Sequence, residues 1–127
     1  MTAAFAQGLG PAVANSNNDS NVTVSGVNTP NFPYTTVAQD AGNIVLASTL
    51  LTTSAATIQS NANLSYTIGT IITFINMGSS NMTISCADTV YLAGVGTTGN
   101  RTLSAYGVAT AIKVGVTTWV ISGSGLT

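Results

Sequence analysis

Charge is the property this sequence has least of. Five of its 127 residues are ionised at neutral pH, three Asp and two Lys or Arg, and Glu and His are absent. Charged residues make up 4% of the chain, against roughly 25% in ordinary soluble domains. Two basic residues cannot neutralise a row of phosphates, so the composition disfavours direct nucleic-acid binding.

A surface with so few charges has weak electrostatic protection against self-association. The first interpretation is that much of this surface is buried in an oligomer or a shell. The alternative is that the many Thr, Ser and Asn side chains hydrate the surface sufficiently on their own. We favour the first interpretation and expect a homo-oligomer.

The residues needed for most chemistry are also missing. Without His there is no Ser-His-Asp or Cys-His set, and with Cys86 as the single cysteine there is no intramolecular disulfide. Transition metals lack ligands, and Asp19, Asp40 and Asp88 are too scattered to suggest a calcium site or an acid–base pair. We predict that the chain is not an enzyme, with no catalytic, cofactor-binding or metal residues, and that Cys86 is a buried structural thiol.

Long apolar runs are absent as well. The strongest run, residues 71–75, is far shorter than the roughly 20 residues that span a bilayer. The N-terminal residues 1–7 lack the basic start and continuous apolar stretch of a secretory signal. We therefore expect no membrane partner and no classical secretion.

What the sequence does contain favours β-structure. Thr, Val and Ile are abundant, and from Tyr34 onward short apolar-alternating segments are separated by turn signals about every ten residues. We predict that residues 34–127 form an all-β domain, a single antiparallel β-sandwich or barrel of jelly-roll type. The predicted strands cover residues 34–38, 43–48, 56–59, 70–76, 82–86, 89–92, 101–103, 109–114 and 117–122.

Three turns can be predicted from their residues. Asp40–Asn43 has an Asp and a Gly where a tight reversal needs a side-chain cap and a positive φ. Residues 77–81 and 114–117 are each expected to close a hairpin, the second leaving Lys113 pointing to water. Trp119 alternates with its neighbours in the last strand and is predicted to anchor the core.

Residues 1–33 differ from the rest and are predicted to form an extended N-terminal arm. They are dense in Asn, Ser, Gly and Pro, which favour turns and extended chain over a packed core. The arm also carries isolated apolar side chains that a solvated tail does not need. Such an arm can order itself on a partner's surface, and a frayed terminus is the alternative for its first half. The candidate docking residues are Phe5, Leu9, Val13 and Phe32.

From about Val37 to the end, the sequence resembles a β-domain of bacteriophage virion proteins, found in head fibres, capsid decoration proteins and the C-terminal domain of some tail fibres. The order of the pieces carries the resemblance more than any single piece does. The matching segments are residues 40–45 (DAGNIV), 68–76 (IGTIITFIN), 82–84 (MTI), 106–114 (YGVATAIKV) and 117–123 (TTWVISG).

The resemblance implies a virion surface protein, commonly a trimer. An arm followed by one compact domain suits attachment to a capsid lattice, so we expect a capsid decoration, cement or head-fibre protein. It would be made in the host cytoplasm and would bind the major capsid protein on the outer capsid surface. The alternative is a receptor- or carbohydrate-binding tip of a tail fibre, for which we expect Tyr91 or Tyr106 to stand exposed.

Overall fold

The computed structural model of the chain describes residues 26–127, and over this range the protein is nearly all β. A short 3₁₀ helix, Ala38–Asp40, follows the second strand. The nine strands are β1 (Val27–Asn28), β2 (Tyr34–Thr35), β3 (Ile44–Ala47), β4 (Ser54–Ile58), β5 (Ile71–Asn76), β6 (Met82–Cys86), β7 (Thr89–Leu92), β8 (Arg101–Gly115) and β9 (Thr118–Leu126).

The strands form one mixed sheet that curls into a half-barrel, with two wings that meet on β8. On one wing β1, β3 and β5 pair in parallel, and β5 pairs antiparallel with residues 108–112 of β8. On the other wing β2, β4 and β6 pair in parallel, and β6 pairs antiparallel with residues 101–103 of β8. Consecutive strands from β1 to β6 therefore alternate between the wings, and β8 pairs along the last strand of each wing.

β8, at 15 residues, is long enough to pair with both wings, and an irregularity separates the two paired parts. Its pairing with β9 shifts register between Leu103 and Val108. Within this interval Tyr106 has a φ of 63°, a left-handed conformation that is uncommon for a bulky residue. β9 follows β8 closely past the shift because residue 123 is Gly, and a Cβ there would collide with the main-chain carbonyl of Val108.

The core lies on the concave side of the half-barrel, where both wings direct their alternate residues. Trp119 and Phe74 are its largest fully buried apolar side chains, and Trp119 packs edge-on against Tyr66 with ring centroids 5.8 Å apart. The prediction that Trp119 anchors the core is confirmed. The other buried apolar residues are Val45, Ala47, Leu50, Ala56, Ile58, Ile72, Met82, Ile84, Val90, Leu103, Ala109, Ala111 and Ile121.

The all-β prediction is confirmed, whereas the expectation of an antiparallel sheet is wrong for most of the pairings. Five of the eight strand pairings are parallel. Residues 77–81 do not close a hairpin, because β5 and β6 lie one after the other along β8. The hairpin at residues 114–117 is present, since β8 and β9 pair on both sides of it. The strands predicted at 101–103 and 109–114 are one continuous strand.

Candidate functional site

The convex side of the β5-β8-β9-β7 wing carries a row of apolar side chains that nothing in residues 26–127 covers. Ile71 of β5 lies opposite Ile112 of β8, which lies opposite Val120 of β9, which lies opposite Tyr91 of β7. Paired residues share a face of the sheet, so the four side chains form one row across four strands. Ile112 is 38% exposed although it lies in a central strand.

Two neighbouring rows extend this surface. Ile75, Val108 and Ser124 form one, and a row of hydroxyl side chains, Thr73, Thr110 and Ser122, separates it from the first. Val108 is exposed, as is Val114, which follows Ile112 by two positions on the same face. We call this surface the apolar outer face; it consists of Ile71, Ile75, Tyr91, Val108, Ile112, Val114 and Val120.

The alternation of β8 explains why the outer face carries no charge. Ala109, Ala111 and Lys113 point inward and are buried, whereas the residues between them point outward. The expectation that Lys113 points to water is therefore wrong, because this side chain is only 2% exposed. Neighbouring residues of a strand point to opposite faces. Because Lys113 points inward, Ile112 and Val114 point outward, on the face where we expected Lys113.

The buried Lys113 side chain belongs to a small polar centre that also contains Asn61, Tyr66 and Asp88. Its Nζ donates to Asn61 Oδ1 at 2.7 Å and to the Tyr66 carbonyl oxygen at 2.8 Å. The main-chain N–H of Asn61 in turn donates to Asp88 Oδ2 at 2.8 Å. Cys86 lies beside this centre and is half-buried, and burial raises the pKa of its thiol. A raised thiol pKa reduces the thiolate fraction, in keeping with the structural role predicted for Cys86.

A second polar centre, around Asp40, lies where β1 and β2, the edge strands of the two wings, come within hydrogen-bonding distance of each other. This carboxylate is 1% exposed and accepts hydrogen bonds from Tyr34 Oη at 2.6 Å, the Val37 main-chain N–H at 2.9 Å and Asn28 Nδ2 at 3.2 Å. Burial, followed by the hydrogen bond to Asp40, raises the pKa of Tyr34. The reversal predicted at Asp40–Asn43 is present, with Gly42 at a φ of 76°.

The two tyrosines singled out in the sequence are both exposed. Tyr91 belongs to the apolar outer face, and Tyr106, 71% exposed, stands at the register shift of β8 with its left-handed backbone. A bulky side chain held in that conformation costs about 1–3 kcal/mol, and such strain is concentrated at functional sites. Tyr106 is therefore a second candidate contact residue.

Of the four candidate docking residues, Phe5, Leu9 and Val13 lie outside the described residues. Phe32 is half-buried, packs against the edge of the core and makes an edge-on contact with Tyr34, with ring centroids 6.3 Å apart. It also lines a groove of about 460 Å³ between residues 29–32 and residues 47–54. The sequence pattern singled out Phe32 but contained no signal for this groove.

The described part of the chain, residues 26–127, contains no cluster of three or more His, Cys, Asp or Glu side chains placed to hold a metal ion. In the same range no helix has the length and apolarity needed to cross a bilayer. Comparison with known proteins finds no matching family model, no matching curated protein and no matching solved structure.

Proposed function

We propose that the chain is a structural protein of a bacteriophage virion, a capsid decoration, cement or head-fibre protein that binds the outer surface of the capsid. In this proposal it acts as a homo-oligomer, a trimer by the resemblance, with the major capsid protein as its partner. The observation that carries the proposal is the apolar outer face.

An exposed apolar surface of this kind needs a partner to be stable against non-specific association. The face spans four paired strands, contains no ionised side chain and is bordered by hydroxyl groups. Two such surfaces can meet without desolvating a charge and without repulsion between like charges. These properties support burial of the face in an assembly. A stable contact of this kind is expected to bury on the order of 1,600 Å² in total.

The polar centres support a structural role over a catalytic one. Asp40 and Asp88, the carboxylates of the described residues, each accept main-chain hydrogen bonds from a neighbouring loop. Their oxygens hold segments of the fold together and do not converge on a shared cavity. The proposal therefore includes no enzymatic activity and no cofactor, and it assigns neither nucleic acid nor membrane as a partner.

Binding to undecorated capsids tests this proposal. The full chain is expected to co-sediment with capsids, and Ile112→Asp is expected to weaken binding at least tenfold. The matched control is Val116→Asp, which adds the same charge at an exposed position in the β8-β9 turn, outside the rows; we expect it to bind like the parent chain. Equal binding by both variants, with folding confirmed by circular dichroism, would remove the outer face from the proposal.

The arm is tested separately. Replacing Phe5, Leu9 and Val13 together by Ala is expected to weaken capsid binding without changing thermal stability, because the sequence pattern assigns these side chains to a partner. Unchanged binding by this variant would contradict arm docking.

The second candidate function is a receptor- or carbohydrate-binding fibre tip, and the exposure of Tyr106 favours it. Aromatic faces stack on sugar rings, and a strained exposed Tyr is a feature expected of a ligand contact. Under this function, glycan or cell binding is expected to be lost in Tyr106→Ala and retained in Val116→Ala. Capsid binding that survives Tyr106→Ala, with no glycan binding by the parent chain, would favour the first function.

A further inference from the structure

The environment of Lys113 is unusual for a buried amine. Its Nζ has two hydrogen-bond acceptors, an amide oxygen and a peptide carbonyl, and among residues 26–127 no carboxylate accepts a hydrogen bond from it. A lysine ammonium has three N–H donors, so one remains without a partner in the described part of the chain. Burying a charge without a counter-ion is costly. Conversion of this amine into a neutral amide would remove that cost.

The acceptor is placed for such a conversion. Asn61 lies in the connection between β4 and β5, and its Oδ1 is 2.7 Å from Lys113 Nζ. Because a C=O bond is about 1.23 Å long, the Cγ carbon of Asn61 lies within about 3.9 Å of Nζ. Reacting atoms held near 3–3.5 Å gain a large rate advantage over the same groups free in solution.

Asp88 positions Asn61 in this arrangement. Its Oδ2 accepts the main-chain N–H of Asn61 at 2.8 Å and so fixes the residue whose side chain faces Lys113. Trp119 is the cross-strand neighbour of Lys113, and its ring packs edge-on against Tyr66.

From this geometry we propose that Lys113 and Asn61 condense into an intramolecular isopeptide bond. Nζ attacks Cγ of Asn61, a bond forms between Nζ and Cγ, and the bond between Cγ and Nδ2 breaks. Two of the three protons on Nζ pass to Nδ2, which leaves as ammonium. No oxidant, reductant or cofactor is needed.

This bond would join β8, the strand that both wings share, to the β4-β5 connection. It would replace a buried cation by an amide whose oxygen and N–H can still hydrogen-bond. The inference does not depend on where the protein acts, and it is testable whether or not the protein binds a capsid.

Intact-mass measurement of the purified full chain tests the proposal. The folded chain, incubated at neutral pH, is expected to be lighter than its sequence mass by one ammonia. Digestion with a protease of broad specificity is expected to yield a branched peptide containing both residue 61 and residue 113. A chain at its full sequence mass after prolonged incubation would overturn the proposal, and this outcome requires no variant to fold.

Variants identify the atoms involved. Asn61→Ala and Lys113→Arg are each expected to have their full sequence masses, whereas Asn63→Ala, an exposed neighbour in the same loop, is expected to keep the ammonia deficit. Asp88→Ala removes the acceptor of the Asn61 N–H, so its deficit is expected to develop at least tenfold more slowly. A deficit that persists in Lys113→Arg would overturn the bond, and an unchanged rate in Asp88→Ala would overturn the positioning of Asn61 by Asp88.

Discussion

The two buried polar centres of this protein hold opposite charges in opposite ways. The Asp40 carboxylate receives three hydrogen bonds, all from residues within 12 positions along the chain. The Lys113 ammonium has two acceptors, which lie 47 and 52 positions away. Asp40 thus joins β1 and β2, the edge strands of the two wings, through residues that are close in sequence. Lys113 joins β8 to the β4-β5 connection through residues that are far apart in sequence. A contact between residues far apart in sequence closes a longer loop of chain.

The difference predicts that Lys113 contributes more to stability than Asp40. In Lys113→Met the two acceptors lose their donor and the proposed bond to Asn61 cannot form. Because that bond closes a loop of 52 positions, its loss is expected to lower the free energy of unfolding by roughly 4 kcal/mol. The measurement is urea denaturation followed by tryptophan fluorescence. A loss near 1 kcal/mol would mean that only hydrogen bonds were removed.

Asp40→Ala is expected to have the next largest effect. It leaves the Tyr34 hydroxyl and the Val37 N–H without their acceptor and the Asn28 amide with Tyr34 Oη alone, and the expected loss is about 3 kcal/mol. Gln39→Ala is the matched control, since Gln39 lies in the same 3₁₀ helix with its side chain exposed and is expected to change stability by less than about 0.5 kcal/mol. Equal losses in the two variants would contradict a specific role of the carboxylate.

Tyr34→Phe removes one hydrogen bond to the buried carboxylate, and we expect it to cost about 2 kcal/mol at neutral pH. The same contact has a pH signature. Burial and the Asp40 carboxylate raise the pKa of Tyr34 above its ordinary value of 10.0, and burial raises that of Tyr66. Above about pH 10 the unfolded chain therefore loses protons that the folded chain keeps, so stability falls as pH rises.

This pH dependence can be measured from denaturation midpoints between pH 8 and pH 11. The parent chain is expected to lose stability steadily above pH 10, and Tyr34→Phe is expected to show a shallower decline. An identical slope in the two chains would show that Tyr34 does not keep its proton in the folded state.

Cys86→Ala is expected to have the smallest effect of the series. Cys86 lies beside the Lys113 centre and is half-buried, so removing its sulfur is expected to cost about 1 kcal/mol. Thermal unfolding of the variant is a sufficient measurement. A loss as large as that of Lys113→Met would indicate that Cys86 belongs to the polar centre itself.

Much of the secondary structure was predictable because the strands alternate clearly and glycines terminate them. The limits of β6 and β7 match the structure, and the Asp40–Asn43 turn is encoded by residues adjacent in sequence. The parallel pairing was not predictable in this way. It depends on β5 and β6 both docking on β8, more than fifteen positions away, and the local pattern at residues 77–81 is compatible with a hairpin.

The candidate site was predictable only in part. The alternation of residues in β8 correctly indicated two faces. Because Lys usually faces solvent, we expected the face of Lys113 to be the exposed one, and the structure shows that it is the buried one. The acceptors that make an inward Lys113 tolerable, Asn61 and Tyr66, are brought together only by the closed sheet. The apolar outer face follows directly from that reversal. Tyr91 and Tyr106 were singled out for the fibre-tip alternative, and both are exposed. Tyr91 lies in β7, opposite Val120.

We propose that the protein acts through contact between copies, by burying its apolar outer face. Sedimentation equilibrium of the full chain over a range of concentrations, beside Ile112→Asp, measures whether that burial occurs. We predict a mass that is an integer multiple of the chain mass for the parent and a shift toward the single chain for the variant. A parent chain that remains a monomer at the highest concentrations, with the outer face exposed to solvent, would contradict the claim.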